Sequence, residues 1–147
     1  GKLSIIRAWT EVFATAYLFE SKNVDSLLVG LRDPAPLSAS TVAAGLRIPS
    51  VQRDLARLGV PDAETLLGSL VAGPDALRRY AVGVPSNTDD NGYVEFRGLR
   101  DFVGEATGPR SPIEREDPAL YVDPTLGSGE ETNAFSRRLQ SIYAGKR

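Results

Sequence analysis

Cysteine, histidine and methionine are all missing from the 147 residues. Without Cys there is no disulfide and no thiol nucleophile; without His there is no Ser-His-Asp triad, and without both no ordinary zinc site. Catalysis on such a chain has to run on carboxylates, Tyr, Lys or Arg. A surplus of one charge sign is lacking too. The net charge is -2 and the basic pairs Arg78-Arg79 and Arg137-Arg138 are isolated, which excludes nucleic acid as the expected main partner. No apolar run approaches the roughly 20 residues of a membrane helix, and no signal peptide is visible. The expectation is a cytoplasmic segment with no membrane contact of its own, tethering through an upstream segment being left open. The missing Met, with a start at Gly1-Lys2 inside an amphipathic pattern, is what a cut piece would show. What is present is 41% hydrophobic residues, enough for one ordinary core.

Leu3, Ile6, Trp9 or Ala8, and Val12-Phe13 recur near helical spacing, with Lys2, Arg7 and Glu11 on the other face, which predicts an amphipathic helix. Two apolar runs, Ala14 to Glu20 and Val24 to Leu31, flank the turn Ser21-Lys22-Asn23 and predict a β-hairpin. A lone hairpin is marginal in water, so these strands are expected to complete a larger sheet. After Pro34 and Pro36 come short helical pieces. Ser38 or Ser40 caps one through Ala44, Ser50 caps Val51 to Leu58 with Gly59 as the stop, Asp62 caps Ala63 to Val71, and Pro74 or Asp75 opens one through Ala81. Tyr93, Val94 and Phe96 read as a short strand. Beyond Thr107 a Pro- and Gly-rich linker leads to a helix from Glu130 to Ala144, whose Phe135, Leu139, Ile142 and Tyr143 share a face. The expected organisation is therefore 1–33, 34–105 and 106–147.

The carboxylates that draw attention stand in the run Asn87-Thr88-Asp89-Asp90-Asn91-Gly92, just before Tyr93-Val94-Glu95-Phe96. Asn87, Thr88, Asp89, Asp90 and Glu95 are the candidate ligand-binding residues. The same residues also suit a turn, since Asn, Asp and Gly tolerate left-handed backbone and bond their own amides. Glu114, Glu116 and Asp117, mixed with Arg115, read as a solvated charge run. No residue is nominated as catalytic and none as a metal ligand.

The stretch from Thr10-Glu11-Val12-Phe13 to Val24-Asp25-Ser26-Leu27-Leu28-Val29-Gly30 resembles the last helix and closing hairpin of the class I methyltransferase-like fold. Four further stretches carry a more specific likeness: Leu55 to Gly59, Asp62-Ala63-Glu64-Thr65-Leu66-Leu67, Gly73-Pro74-Asp75-Ala76-Leu77, and Pro85 to Asp90 with Val94-Glu95-Phe96. Together these resemble the C-terminal part of bacterial spermidine synthase-like proteins, polyamine aminopropyltransferases many of which are fused to a membrane transporter-like segment. The resemblance covers residues 10–101; the tail after Gly104 has no counterpart.

It implies an α/β fold: the C-terminal remnant of a methyltransferase-like sheet, helix plus closing hairpin, with a small helical appendage. It also implies a parent that transfers an aminopropyl group from decarboxylated S-adenosylmethionine to a diamine. The glycine-rich turn, the acidic ribose contact and the general-base aspartate of that family lie upstream and have no match here. The Pro-Thr-Tyr-Pro-Ser-Gly segment of its closing hairpin is replaced by Ser21-Lys22-Asn23. The expected chain holds no cofactor and no complete active site. Its expected partners are the upstream synthase-like half or another protein chain, a diamine, and further copies in a homo-oligomer. The competing expectation is a non-catalytic interaction or regulatory module.

Overall fold

The helical spacing at the N-terminus is realised as α1 (Lys2–Val12), in a computed structural model that describes residues 2–20, 26–88, 90 and 113–145. The elements that follow are β1 (Thr15–Glu20), β2 (Ser26–Leu31), β3 (Leu37–Ser38), α2 (Ala39–Leu46), α3 (Pro49–Arg57), α4 (Ala63–Leu67), β4 (Leu70–Ala72) and α5 (Pro74–Ala81). A 3-10 turn (Pro118–Leu120), β5 (Val122–Asp123) and α6 (Gly129–Ala144) complete the described chain. It is thus a mixed helix and strand protein with a small antiparallel sheet, in the order β2-β1-β4. The chain divides into two compact units.

The first unit comprises residues 1–19, 26–34 and 72–114. In α1, Ser4 and Ile6 are buried, while Arg7 and Glu11 pair one turn apart at 2.7 Å on the outer face. A backbone bond of 2.9 Å from Phe13 N to Trp9 O carries the last turn past the helix end. It brings the Trp9 and Phe13 rings together, with centroids 4.8 Å apart. Thr15 through Phe19 of β1 are buried, whereas Ser26 and Leu27 of β2 are exposed. Helix α5 starts on Pro74, which donates no N–H and is preset for a first turn, and it buries Ala76, Leu77 and Ala81 against α1. Arg78 donates to the carbonyl of Ala14.

The second unit comprises residues 20–25, 35–71 and 115–147. Its core joins Ala39, Leu46, Ala63, Leu67, Val122, Phe135 and Leu139. β3 pairs with β5 in parallel, Leu37 opposite Val122 and Ser38 opposite Asp123. Asp62 works twice: Oδ1 accepts from Thr65 N at 2.8 Å as the cap of α4, and Oδ2 accepts from Arg138 Nη2 at 2.5 Å. α6 begins with a reciprocal capping box between Ser128 and Glu131 and buries Phe135, Leu139 and Tyr143. It crosses α4 so closely that a Cβ at Gly68 would lie 2.6 Å from Ile142 Cγ2 and 2.7 Å from the Glu64 carbonyl oxygen. Arg115 lies over this corner, donating to the carbonyls of Gly68 at 3.0 Å and Leu70 at 2.9 Å. Burial holds its guanidinium below the ordinary value, with Glu20 and Tyr143 opposing.

Some local expectations change. Ser38 rather than Ser40 caps α2, its Oγ accepting from Thr41 N at 3.2 Å. Ser50 caps nothing, because α3 already begins at Pro49, whose fixed φ and missing N–H suit the first helical position. Gly59 stops this helix as expected, at φ 74°. The helix expected from Ala63 to Val71 ends at Leu67, and Leu70–Ala72 becomes a fully buried strand. A continuous apolar run such as Leu66 to Ala72 fits either element, and burial on both faces decides for the strand. The expected strand at Tyr93 to Phe96 lies outside the described residues.

Candidate functional site

The start of the nominated acidic run is tied to α1. Ser86 Oγ donates to Glu11 Oε2 at 2.8 Å, and Asn87 N donates to the carbonyl of buried Ser4 at 3.2 Å. Two bonds from adjacent residues to one helix fix both the position and the direction in which the chain leaves. Asn87 is half-buried here, and Thr88 and Asp90 are exposed. Asp89 and Glu95 lie outside the described residues. Glu11 is thereby surrounded by donors: the Ser86 hydroxyl first and the Arg7 guanidinium second hold its carboxyl below the ordinary value of 4.5. The depressed value means that this contribution to stability is present above the unfolded-state value and is lost as pH falls through the folded-state one. Side-chain carboxyl NMR should therefore place the Glu11 midpoint below 4.5, with Ser86→Ala moving it upward. An unmoved midpoint in that variant would show that the Ser86 bond does not form in solution.

Beside this anchor, α1 and the hairpin enclose a groove of about 290 Å³. Its walls are Ile5, Ile6 and Trp9 of α1 with Leu18 and Leu28 of the strands, and Lys2 is the charged residue among them. Trp9 Nε1 is buried without an acceptor among the described residues. An indole N–H in that state is uncommon, since buried donors are normally paired. The wall next to it is built by close approach. Gly30 of β2 leaves room for the Phe13 ring, and a Cβ there would fall 2.5 Å from Phe13 Cδ2 and 2.6 Å from Cδ1.

No known protein family, curated protein or solved structure matches this chain.

A second concavity, about 370 Å³ in the other unit, is lined by Leu46, Arg47, Gln52, Asp62 and Glu64 among others. Asp62 there is already committed to Thr65 and Arg138. Among the described residues, no group of three acidic residues could hold a metal ion, and no helix is long and apolar enough to cross a membrane. Reasoning from sequence nominated the acidic run but missed its anchor. The Arg7 and Glu11 spacing was visible; a bond between Glu11 and Ser86, 75 positions apart, left no local signal.

Proposed function

We propose that the chain is the C-terminal part of a spermidine synthase-like aminopropyltransferase, without a complete active site in these residues. The observation that carries the reading is the helix-hairpin α1-β1-β2, which ends on a six-residue, largely apolar strand whose one strand neighbour among the described residues is β1. Asn87-Thr88-Asp89-Asp90, which with Val94-Glu95-Phe96 bears the most specific likeness, begins at the anchor that Ser86 and Asn87 make on α1. In the parent reaction, an amine nitrogen of a diamine attacks the aminopropyl carbon of decarboxylated S-adenosylmethionine. The carbon-sulfur bond breaks, the thioether nucleoside leaves and the amine loses a proton to a base. The nucleoside site and the base belong to the other half. This chain contributes a wall, and Asp90 offers a carboxylate of the sign a diamine dication requires. The location that goes with this reading is cytoplasmic.

The direct test is to incubate the purified chain with decarboxylated S-adenosylmethionine and a diamine and look for the thioether nucleoside. No release above the blank is expected. Turnover by the 147 residues alone would sink the proposal. A second reading, a non-catalytic module that binds a partner protein, draws on α3, which buries none of its residues and leaves Val51 exposed, with Ile48 and Leu58 exposed at its two ends.

A further inference from the structure

We infer that the concavity of about 370 Å³ in the second unit is a binding site for a free α-amino acid with an aliphatic side chain. The synthase reading plays no part in this inference. Three helix ends build the site, and regular hydrogen bonds hold the backbone of each. Arg47 closes α2, its N–H donating to the Ala44 carbonyl at 3.1 Å. Gln52 stands near the start of α3 and donates from its N–H to the Ile48 carbonyl at 2.9 Å. Glu64 stands in the first turn of α4, and its carbonyl accepts from Gly68 N at 2.7 Å. All three residues line the one concavity. Its floor is apolar: Leu46 and Ala63 line it too, and both belong to the buried core.

The ligand's chemistry follows from what these residues offer. Arg47 brings a planar fork of donors that suits a carboxylate, and Glu64 brings acceptors that suit an ammonium. Gln52 adds an amide that can donate to the one or accept from the other. Residues 35–71 and 115–145 of this unit are all described, and among them Arg47, Gln52 and Glu64 have no side-chain partner. The other carboxylate in the concavity, Asp62, is already committed to Thr65 N and Arg138. The charges left to act on a ligand are therefore one positive and one negative, over an apolar floor. A diamine would set its second ammonium against Arg47, and a dicarboxylate would set its second carboxylate against Glu64. An α-amino acid carries one charge of each sign and keeps its side chain free for Leu46 and Ala63. Arg47 is exposed and Glu64 half-buried, so each charged contact is screened by water and the dissociation constant should be about 1 mM.

The experiment adds L-leucine to the isotope-labelled 147-residue chain and follows the backbone amides by NMR. The expected result is saturable movement at Leu46, Arg47, Gln52, Ala63 and Glu64, half complete at about 1 mM. Two compounds remove one charge each: 4-methylpentanoate lacks the ammonium and 3-methylbutylamine lacks the carboxylate. Each should bind about tenfold more weakly than L-leucine, the loss that goes with one charge-assisted hydrogen bond. Arg47→Ala and Glu64→Gln should weaken L-leucine to the same degree, with amides away from the site unmoved. Should either variant fail to fold, the two single-charge compounds decide on the unaltered chain. Either of them binding as well as L-leucine overturns the zwitterion assignment. N-acetyl-L-leucine amide, which has neither charge, binding as well would assign the concavity to a peptide segment and overturn the inference. No saturable movement with L-leucine up to ~10 mM overturns the site itself.

Discussion

Phe135→Ala is expected to lower stability by about 3–4 kcal/mol, the largest effect of any single substitution considered for the second unit. Phe135 is 3% exposed and stands in the cluster with Leu46, Leu67, Val122 and Leu139, where α6 closes over α4. Removing the ring loses its transfer free energy and leaves a cavity. The floor of that cavity is poorly able to collapse, because the Ile142 side chain on α6 already lies so close to Gly68 at the end of α4 that not even a Cβ would fit there. Urea unfolding followed by far-ultraviolet circular dichroism measures the change through the midpoint at constant slope. Trp9 lies in the other unit, so its fluorescence, recorded in parallel, reports whether the two units unfold together. A loss below about 1 kcal/mol would mean that α6 is not held by this cluster.

Gly30→Ala should cost about 1–3 kcal/mol, through overpacking rather than through backbone conformation. The added methyl cannot coexist with the Phe13 ring where it lies, and the ring is in turn held by Trp9 at a centroid separation of 4.8 Å. The substitution therefore moves both aromatics and should change Trp9 emission as well as the unfolding midpoint. Because the strain lies between two named side chains, it should be non-additive. In the Phe13→Ala background the cost of Gly30→Ala should largely vanish, since the clashing ring is gone. Equal costs in both backgrounds would place the penalty elsewhere in β2.

Legibility from sequence followed the range of the interaction. Elements set by neighbours in the chain were read closely: Asp62 as a cap, Gly59 as a stop, Pro74 at a helix start, and the face of Phe135, Leu139 and Tyr143 on α6. Leu66 to Ala72 was misread because a short apolar run has no period of its own, and its conversion to strand depends on burial by distant residues. The candidate site divides the same way. The candidate residues Asn87 to Asp90 announce themselves by type, but what fixes Asn87 is a carbonyl on α1, and Ser86 is held by Glu11. The Trp9 groove was invisible for a further reason. Apolar spacing on α1 says which residues turn inward, and a gap between them depends on the packing of β1 and β2.

The measurement that tests the account most directly is aminopropyl transfer by this chain combined with the nucleoside-binding half of a bacterial spermidine synthase-like protein, against each part alone. Decarboxylated S-adenosylmethionine and a diamine are the substrates, and release of the thioether nucleoside is the readout. The account predicts release from the combination and none from either part. Release by the 147 residues alone, or a combination as silent as its parts, would contradict it.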